Sequence, residues 1–395
     1  MKKLSYSLFV LLLIFSFIKT EAQSYTDLYS SIESNNYQLN ILRQELVSSS
    51  LNNMSSINLS DPQVGLGYMW GDEITPTDKR TLSVTQEFDL TTVFGVKKRL
   101  ARSVNSASEA LYSVERQKLF EEFSQKAIKW RYLTKQLDKR YVTANLLEQL
   151  FDSYQKRLES GELSRFDFNK IQFSIAEFST QIKLLELERE NLFRQLTYSN
   201  GGISLDTMLL QYDLRSLPNN FAQWFDSVIV YIPEMHYYLQ NKEVSKNSEK
   251  LARLSWLPQI SAGYQSEISN VEAMRGGALG VSLPLWSNKN KVKSQEAEAK
   301  VADLKYEEAM NRLKNEYSMK FDQILVMQNL LSEYLNAISS FSVLELESKA
   351  YQFGAMSALD YLESMIDYIS LYDKVLEIEY LIQIEKISFV ILENR

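Results

Sequence analysis

Two spans of this chain, Lys97 to Ser160 and Ser287 to Phe353, run for 64 and 67 residues without a glycine or a proline. As α-helices they extend about 96 and 100 Å at 1.5 Å per residue. A compact globular domain of this size does not hold helices of that length inside itself, so the spans predict a coiled coil or a helical barrel. Their periodicity agrees. Leu100, Val104, Ala107, Leu111 and Val114 recur every three or four residues, and after a slip near Lys118 the stripe resumes through Phe123, Ala127, Trp130, Leu133, Leu137, Tyr141, Ala144, Leu147, Phe151, Tyr154 and Leu158. An apolar stripe of this kind reads as helix packing rather than as a cofactor site.

Eight of the twelve glycines fall in two short windows with a different period. In the first, Val64, Leu66, Tyr68 and Trp70 alternate with Gly65, Gly67 and Met69. After a turn-rich stretch with Asp72 and Pro76, Leu82, Val84 and Phe88 alternate with Thr81, Ser83, Thr85 and Glu87. The second repeats the plan, with Ile260, Ala262 and Tyr264 alternating with Ser261, Gly263 and Gln265, then Leu279, Val281, Leu283 and Leu285 with Gly280 and Ser282. Each window predicts a hairpin with one oily face and one small or polar face. Strands of about 9 to 11 residues suffice to cross an outer membrane, and Trp70, Trp256 and Trp286 stand at or beside their ends.

Composition narrows the function. The chain has no cysteine and one histidine, His236, so a disulfide framework, a thiolate nucleophile and a multi-histidine metal cage are all excluded. No cofactor, metal or catalytic residue is expected. Fifty acidic against 43 basic side chains argues against a nucleic-acid partner. Lys2 and Lys3, an apolar run from Leu8 to Ile18 and the small-x-small site Thr20-Glu21-Ala22 read as an export signal over residues 1–22. No later stretch is long and apolar enough to span a bilayer as a helix, so a membrane-embedded part must be built of strands.

The two windows belong to an internal repeat. Pro62-Gln63 and Gly67-Tyr68 match Pro258-Gln259 and Gly263-Tyr264, and Gly161, Ser164 and Asp167 match Gly354, Ser357 and Asp360. We read a first repeat over 23–200, with strands near 62–71 and 80–90 and a long helix over 97–160. A linker, also called the equatorial segment, covers 201–220. The second repeat covers 221–395, with strands near 258–268 and 277–286 and a long helix over 287–353. Each half runs helix, strand, strand, long helix, shorter helix. The fold class is therefore mainly α with a membrane β-barrel contribution. Four strands cannot close a membrane barrel, so lipid-facing strands (Val64, Leu66, Tyr68, Trp70, Leu82 and Val84) require a homo-oligomer whose subunits share one.

The segments DPQVGLGYMWG (61–71), LSVTQEFD (82–89), FGVKKR (94–99), YQKRLESGELSRFDFNK (154–170), LPQISAGY (257–264), LGVSLPLW (279–286) and YQFGAMSALDYLES (351–364) resemble the TolC family of outer-membrane efflux proteins, in particular the heavy-metal-efflux type found beside resistance–nodulation–division pumps. The resemblance implies a homotrimer with a 12-stranded β-barrel in outer-membrane lipid and a long helical barrel through the periplasm. It implies a passive exit duct, not an enzyme, coupled through a periplasmic adaptor to an inner-membrane pump of that type. The turn motifs Gly161, Ser164, Asp167, Gly354 and Ser357 would then lie at the periplasmic tip that meets adaptor and pump. Asp360 and Glu363 match the acidic rings that narrow the entrance. From residue type alone, Ser164 with Asp167 and Ser357 with Asp360 equally read as helix N-caps, and Lys97, Lys98, Arg99, Lys289, Lys291 and Lys293 as a basic collar or a solvated helix start. The competing reading of the whole chain is a periplasmic coiled-coil scaffold without a channel.

Overall fold

A computed structural model describes residues 29–55, 57–71, 77–206, 217–286, 288–340 and 343–393. The span read as an export signal and the central part of the span read as a linker lie outside the described residues. The helices are α1 (29–35), α2 (Tyr37–Ser55), α3 (Leu90–Val93), α4 (Val96–Glu159), α5 (Arg165–Ser199), α6 (Phe221–Val228), α7 (Pro233–Leu254), α8 (Lys291–Ser340), α9 (Val343–Gln352) and α10 (Ala358–Glu393). The strands are β1 (Gln63–Met69), β2 (Lys79–Phe88), β3 (Gln259–Ser269) and β4 (Ala273–Ser282). The chain divides into two units: one of Met1–Asn40, Arg116–Val228 and Asn315–Arg395, the other of Ile41–Glu115 and Ile229–Lys314.

The second unit holds all four strands, as one antiparallel sheet in the order β1-β2-β3-β4. The β1–β2 and β3–β4 hairpins are local, whereas the central β2–β3 pair joins segments far apart in the chain, setting Val84 opposite Tyr264 and Phe88 opposite Ile260. β4 begins and ends four residues before the span its alternation suggests. The turn is tight, with the Ser269 hydroxyl accepting from the amides of Val271 and Glu272. At the other end Pro284, which has no N–H for a ladder, keeps Leu283 and Leu285 out of the strand. In the same unit α7 lies against the start of α8 through ion pairs of Lys242 with Asp303, Arg253 with Glu296 and Arg312 with Glu234.

The other unit is helical. Its core joins α4, α5 and α10: Leu137, Leu147, Tyr154, Ile171, Phe178, Ile182, Tyr361, Leu362, Met365 and Ile369 are buried together. Tyr154 packs edge-on to Tyr351, which stacks on Tyr361, and burial pushes the Tyr154 hydroxyl's pKa well above the usual phenol value. Between α4 and α10 runs a polar seam. Arg140 grips Asp373 with both terminal nitrogens at 2.7 and 2.8 Å, and the Gln136 amide donates to the same carboxylate at 3.1 Å. Beside it Tyr132 stacks on Tyr380, and burial with the nearby charge of Asp373 raises its pKa to about 12. The short helix α6 inserts Trp224 and Phe225 among Tyr317 and Phe389, with the Trp224 and Phe389 rings 4.7 Å apart.

The α4 stripe departs from its sequence pattern near its start. Ala107 and Val114 are buried as the stripe predicts, and so are Ala101 and Ala110, but Leu111 stays 43% exposed. The span read as one helix over 287–353 is α8 followed by α9, on either side of residues 341–342, which lie outside the described residues.

Candidate functional site

The sheet's register sorts its side chains by face. Val64, Leu66 and Tyr68 stand opposite Val84, Leu82 and Arg80, and the same rows continue through Tyr264, Ser266 and Ile268 to Gly277, Arg275 and Ala273. Farther from the hairpin turns, Phe88, Ile260 and Val281 complete this face. It is apolar and open: Leu66 is 82% exposed and Leu279 86%. Trp70, its ring 6.2 Å from that of Tyr68, is exposed beside it. Monomeric soluble proteins rarely expose a continuous apolar surface of this kind, and one that does has something to cover it.

The opposite face carries Gly65, Gly67, Gly263 and Gly280 against Ser83, Thr81, Thr85 and Ser261. At each glycine an added Cβ would lie 2.4 to 3.0 Å from the hydroxyl oxygen of its cross-strand partner. Those hydroxyls fill the room the glycines leave, so this face is both polar and crowded. Near the hairpin ends it holds the ion pair Lys79–Glu267 at 2.6 Å.

Where β2 gives way to helix, Asp89 caps α3 by accepting from the Thr91 amide at 2.8 Å and hydroxyl at 2.6 Å, and it pairs with Lys97 at 2.6 Å. Partial burial alone would raise its pKa. The Lys97 and Thr91 contacts together outweigh that and hold it below the usual carboxylate range. Lys97 of the basic cluster is thus bound at this junction.

The two helix turns share one geometry. α4 ends at Gly161 with φ 77° and α9 is followed by Gly354 with φ 72°, a left-handed conformation that a Cβ disfavours. The next amide in each turn reaches back five residues, from Glu162 to the Arg157 carbonyl and from Ala355 to that of Ala350, both at 2.8 Å. Ser164 then accepts from the Asp167 amide at 3.0 Å and donates to the Asp167 carboxylate at 2.6 Å. Ser357 does the same with Asp360, at 3.1 and 2.6 Å. Both acids are therefore held by the serine that caps their helix.

The turns are brought together across α5 and α10 by an ion pair of 3.1 Å between Lys170 and Glu363. Lys170 closes the motif at 154–170, but nothing in the sequence pairs it with a residue in the other half. Phe166 and Phe353 lie exposed beside the turns. His236 is exposed near the start of α7. Among the described residues no group of three or more His, Cys, Asp or Glu is placed to hold a metal, and no helix is long and apolar enough to cross a membrane.

No protein-family model matches the chain, and no curated protein matches it. Solved structures do. CusC, in a study of folding and transmembrane channel formation, superposes with a TM-score of 0.77 at 16% identity, covering 94% of this chain and 92% of its own. The open state of the Neisseria gonorrhoeae MtrE outer-membrane channel gives 0.75 at 15% identity, covering 94% and 88%. The Campylobacter jejuni CmeC outer-membrane channel gives 0.74 at 14%, covering 93% and 85%. This chain has the fold of outer-membrane channels. The match extends over nearly the whole of both partners, so it takes in the sheet, the long helices and both capped turns together.

Proposed function

We propose that the protein is an outer-membrane member of the TolC family, a passive exit duct through which an inner-membrane pump, of the resistance–nodulation–division type, discharges by way of a periplasmic adaptor. The observation that carries this reading is the two-faced sheet in this fold. An exposed apolar face backed by a crowded polar one is what a segment of barrel wall requires, lipid outside and water inside. Four strands with free edges at β1 and β4 close only by joining other chains, and three copies supply twelve strands. The repeat in the sequence accounts for the matching turns, one per half, over 23–200 and 221–395. At the two helix turns, exposed Phe166 and Phe353 beside Gly161, Ser164, Asp167, Gly354 and Ser357 offer an apolar rim to the adaptor. Asp360 and Glu363 line the entrance, with Lys170 tempering Glu363 in each chain.

Two measurements test this. Membranes carrying the protein are washed with high salt and then extracted with detergent: a duct stays until detergent is added, whereas the scaffold reading requires release by salt. Because the chain has no native cysteine, single cysteines placed in pairs along β1 and β4 report closure directly. A ladder ending at three chains supports the shared barrel, and an absence of interchain disulfides at every register overturns it.

A further inference from the structure

The apolar face carries two charges. Among the strand residues on that face only Arg80 and Arg275 are ionised at neutral pH, and both stand in the two rows nearest the hairpin turns. Arg80 shares its row with Tyr68 and Ile268, and Arg275 shares the next with Leu66, Leu82 and Ser266. The strand carboxylates Glu87 and Glu267 both point to the other face. Asp78, just before β2, is held by the Tyr68 hydroxyl at 2.5 Å and the Gly71 amide at 3.2 Å. Among the described residues neither arginine has a salt bridge. Arg80 instead lies over the Tyr68 ring at 5.9 Å. Lys79, one residue away on the polar face, is fully paired with Glu267.

An unpaired guanidinium on a lipid-facing surface is costly at mid-membrane and inexpensive near the interface, where its long side chain reaches water or, more favourably, an anionic headgroup. Arg80 satisfies that placement, in the row of Tyr68 nearest the turns, and Arg275, one row deeper on β4, reaches it by extending its long side chain toward the same level. Two strand spacings across and one pleat repeat along, their Cα atoms are about 12 Å apart, within joint reach of one large headgroup. Beside Arg80 the surface has a hollow of about 380 Å³ lined by Leu66, Tyr68, Arg80, Leu82, Ser266 and Ile268, apolar in its floor, with Arg275 across from Ser266 on the next strand.

We propose that Arg80 and Arg275 clamp the phosphates of an outer-leaflet glycolipid of the lipid A type, whose acyl chains lie along the hollow. Guanidinium suits this ligand because its planar fork donates two parallel hydrogen bonds to phosphate oxygens. The inference rests on the reading of this face as lipid-covered.

The test uses the full-length oligomer in phosphatidylcholine nanodiscs, with lipid A counted per oligomer by native mass spectrometry. The wild type should retain diphosphorylated lipid A at least tenfold better than Arg80→Gln/Arg275→Gln. Dephosphorylated lipid A should bind the wild type as weakly as the double variant binds the phosphorylated form. Lys79→Gln, on the other face, should change nothing. Equal retention by wild type and double variant overturns the clamp, as does an equal loss in Lys79→Gln, and competition by millimolar inorganic phosphate replaces it with a free-anion site. A spin label on Val64→Cys separates this from failure of the underlying reading. Relaxation by lipid-phase oxygen with unchanged lipid A binding in the variants rejects the clamp alone, whereas a label relaxed only by a water-soluble agent rejects the lipid face itself.

Discussion

Placing an arginine at successive rows of the apolar face measures how deep each row lies. Five rows run from Arg80, Tyr68 and Ile268 near the hairpin turns to Phe88, Ile260 and Val281 at the helix end, with Val64, Val84 and Tyr264 in the middle. Rows are about 6.7 Å apart along a strand, and a tilt of about 40° reduces this to about 5 Å of depth, so the five cover about 20 Å of an apolar band roughly 25 Å tall. In the barrel proposed above, Val84 then lies near the midplane. Leu66 lies one row out, level with the native Arg275. Val84→Arg should lose about 2 to 4 kcal/mol per chain, while Tyr68→Arg near the interface should lose about 0 to 1 kcal/mol, with Leu82→Arg between them. Ser83→Arg puts the same charge beside Val84 but on the polar face, where water can reach the guanidinium, and should cost little. The assay is reversible folding into liposomes from urea, read as the folded fraction, where 2 to 4 kcal/mol is roughly a 30- to 1,000-fold change in equilibrium constant. Equal losses at Val84 and Ser83, or a flat series from Tyr68 to Val84, would refute the assignment of faces and depth.

Three further outcomes follow from contacts elsewhere. The Arg140 and Asp373 side chains are 11% and 20% exposed, so Asp373→Asn, which strands a buried guanidinium, should destabilise the α4–α10 seam by about 3 to 5 kcal/mol; the double variant Arg140→Met/Asp373→Leu should recover most of it by denaturant unfolding. Asp360→Asn with Glu363→Gln should reduce cation preference in planar bilayers, most at low salt where screening is least, and Lys170→Gln, which frees Glu363, should raise it; wild-type selectivity in both would return Asp360 to capping and Glu363 to its ion pair with Lys170. The depressed pKa of Asp89 means that its contribution is complete above the ordinary carboxylate value near 3.9 and fades as pH falls through the lower folded value. Protection factors at the start of α4, exchange rates taken relative to the intrinsic rate at each pH, should therefore fall on acidification through that range, and Asp89→Asn should abolish this pH dependence.

What was legible in the sequence is what is encoded locally. Glycine and proline spacing marked both hairpins, because period-2 alternation around Gly65 or Gly263 needs no distant partner. Gly161 and Gly354 marked the turns for the same reason, since the left-handed position and the Ser cap fall within a few residues. The β2–β3 pairing was not legible: Val84 and Tyr264 carry no mark of each other across 180 positions. Nor was the bond between Lys170 and Glu363, or the exposure of Leu111 beside a buried Ala110, because both depend on which segments distant in sequence come to lie alongside. Arg80 and Arg275 were in plain view, yet an alternation of apolar with polar residues does not say which arginine interrupts the oily face until the register is fixed.

The free edges of β1 and β4 have a genetic consequence. In the three-chain barrel proposed above, every subunit must offer a sound edge on both sides, so a subunit spoiled at β4 alone still presents a competent β1 and can recruit normal partners into a ring that never closes. A cell expressing equal amounts of normal and spoiled chains would build only about one intact ring in eight if chains mix at random. Alleles that disrupt β4, for example with a proline among Met274 to Leu279, should therefore behave as dominant negatives. Alleles that prevent a chain from forming its sheet at all should be recessive, because such a chain has no edge to offer.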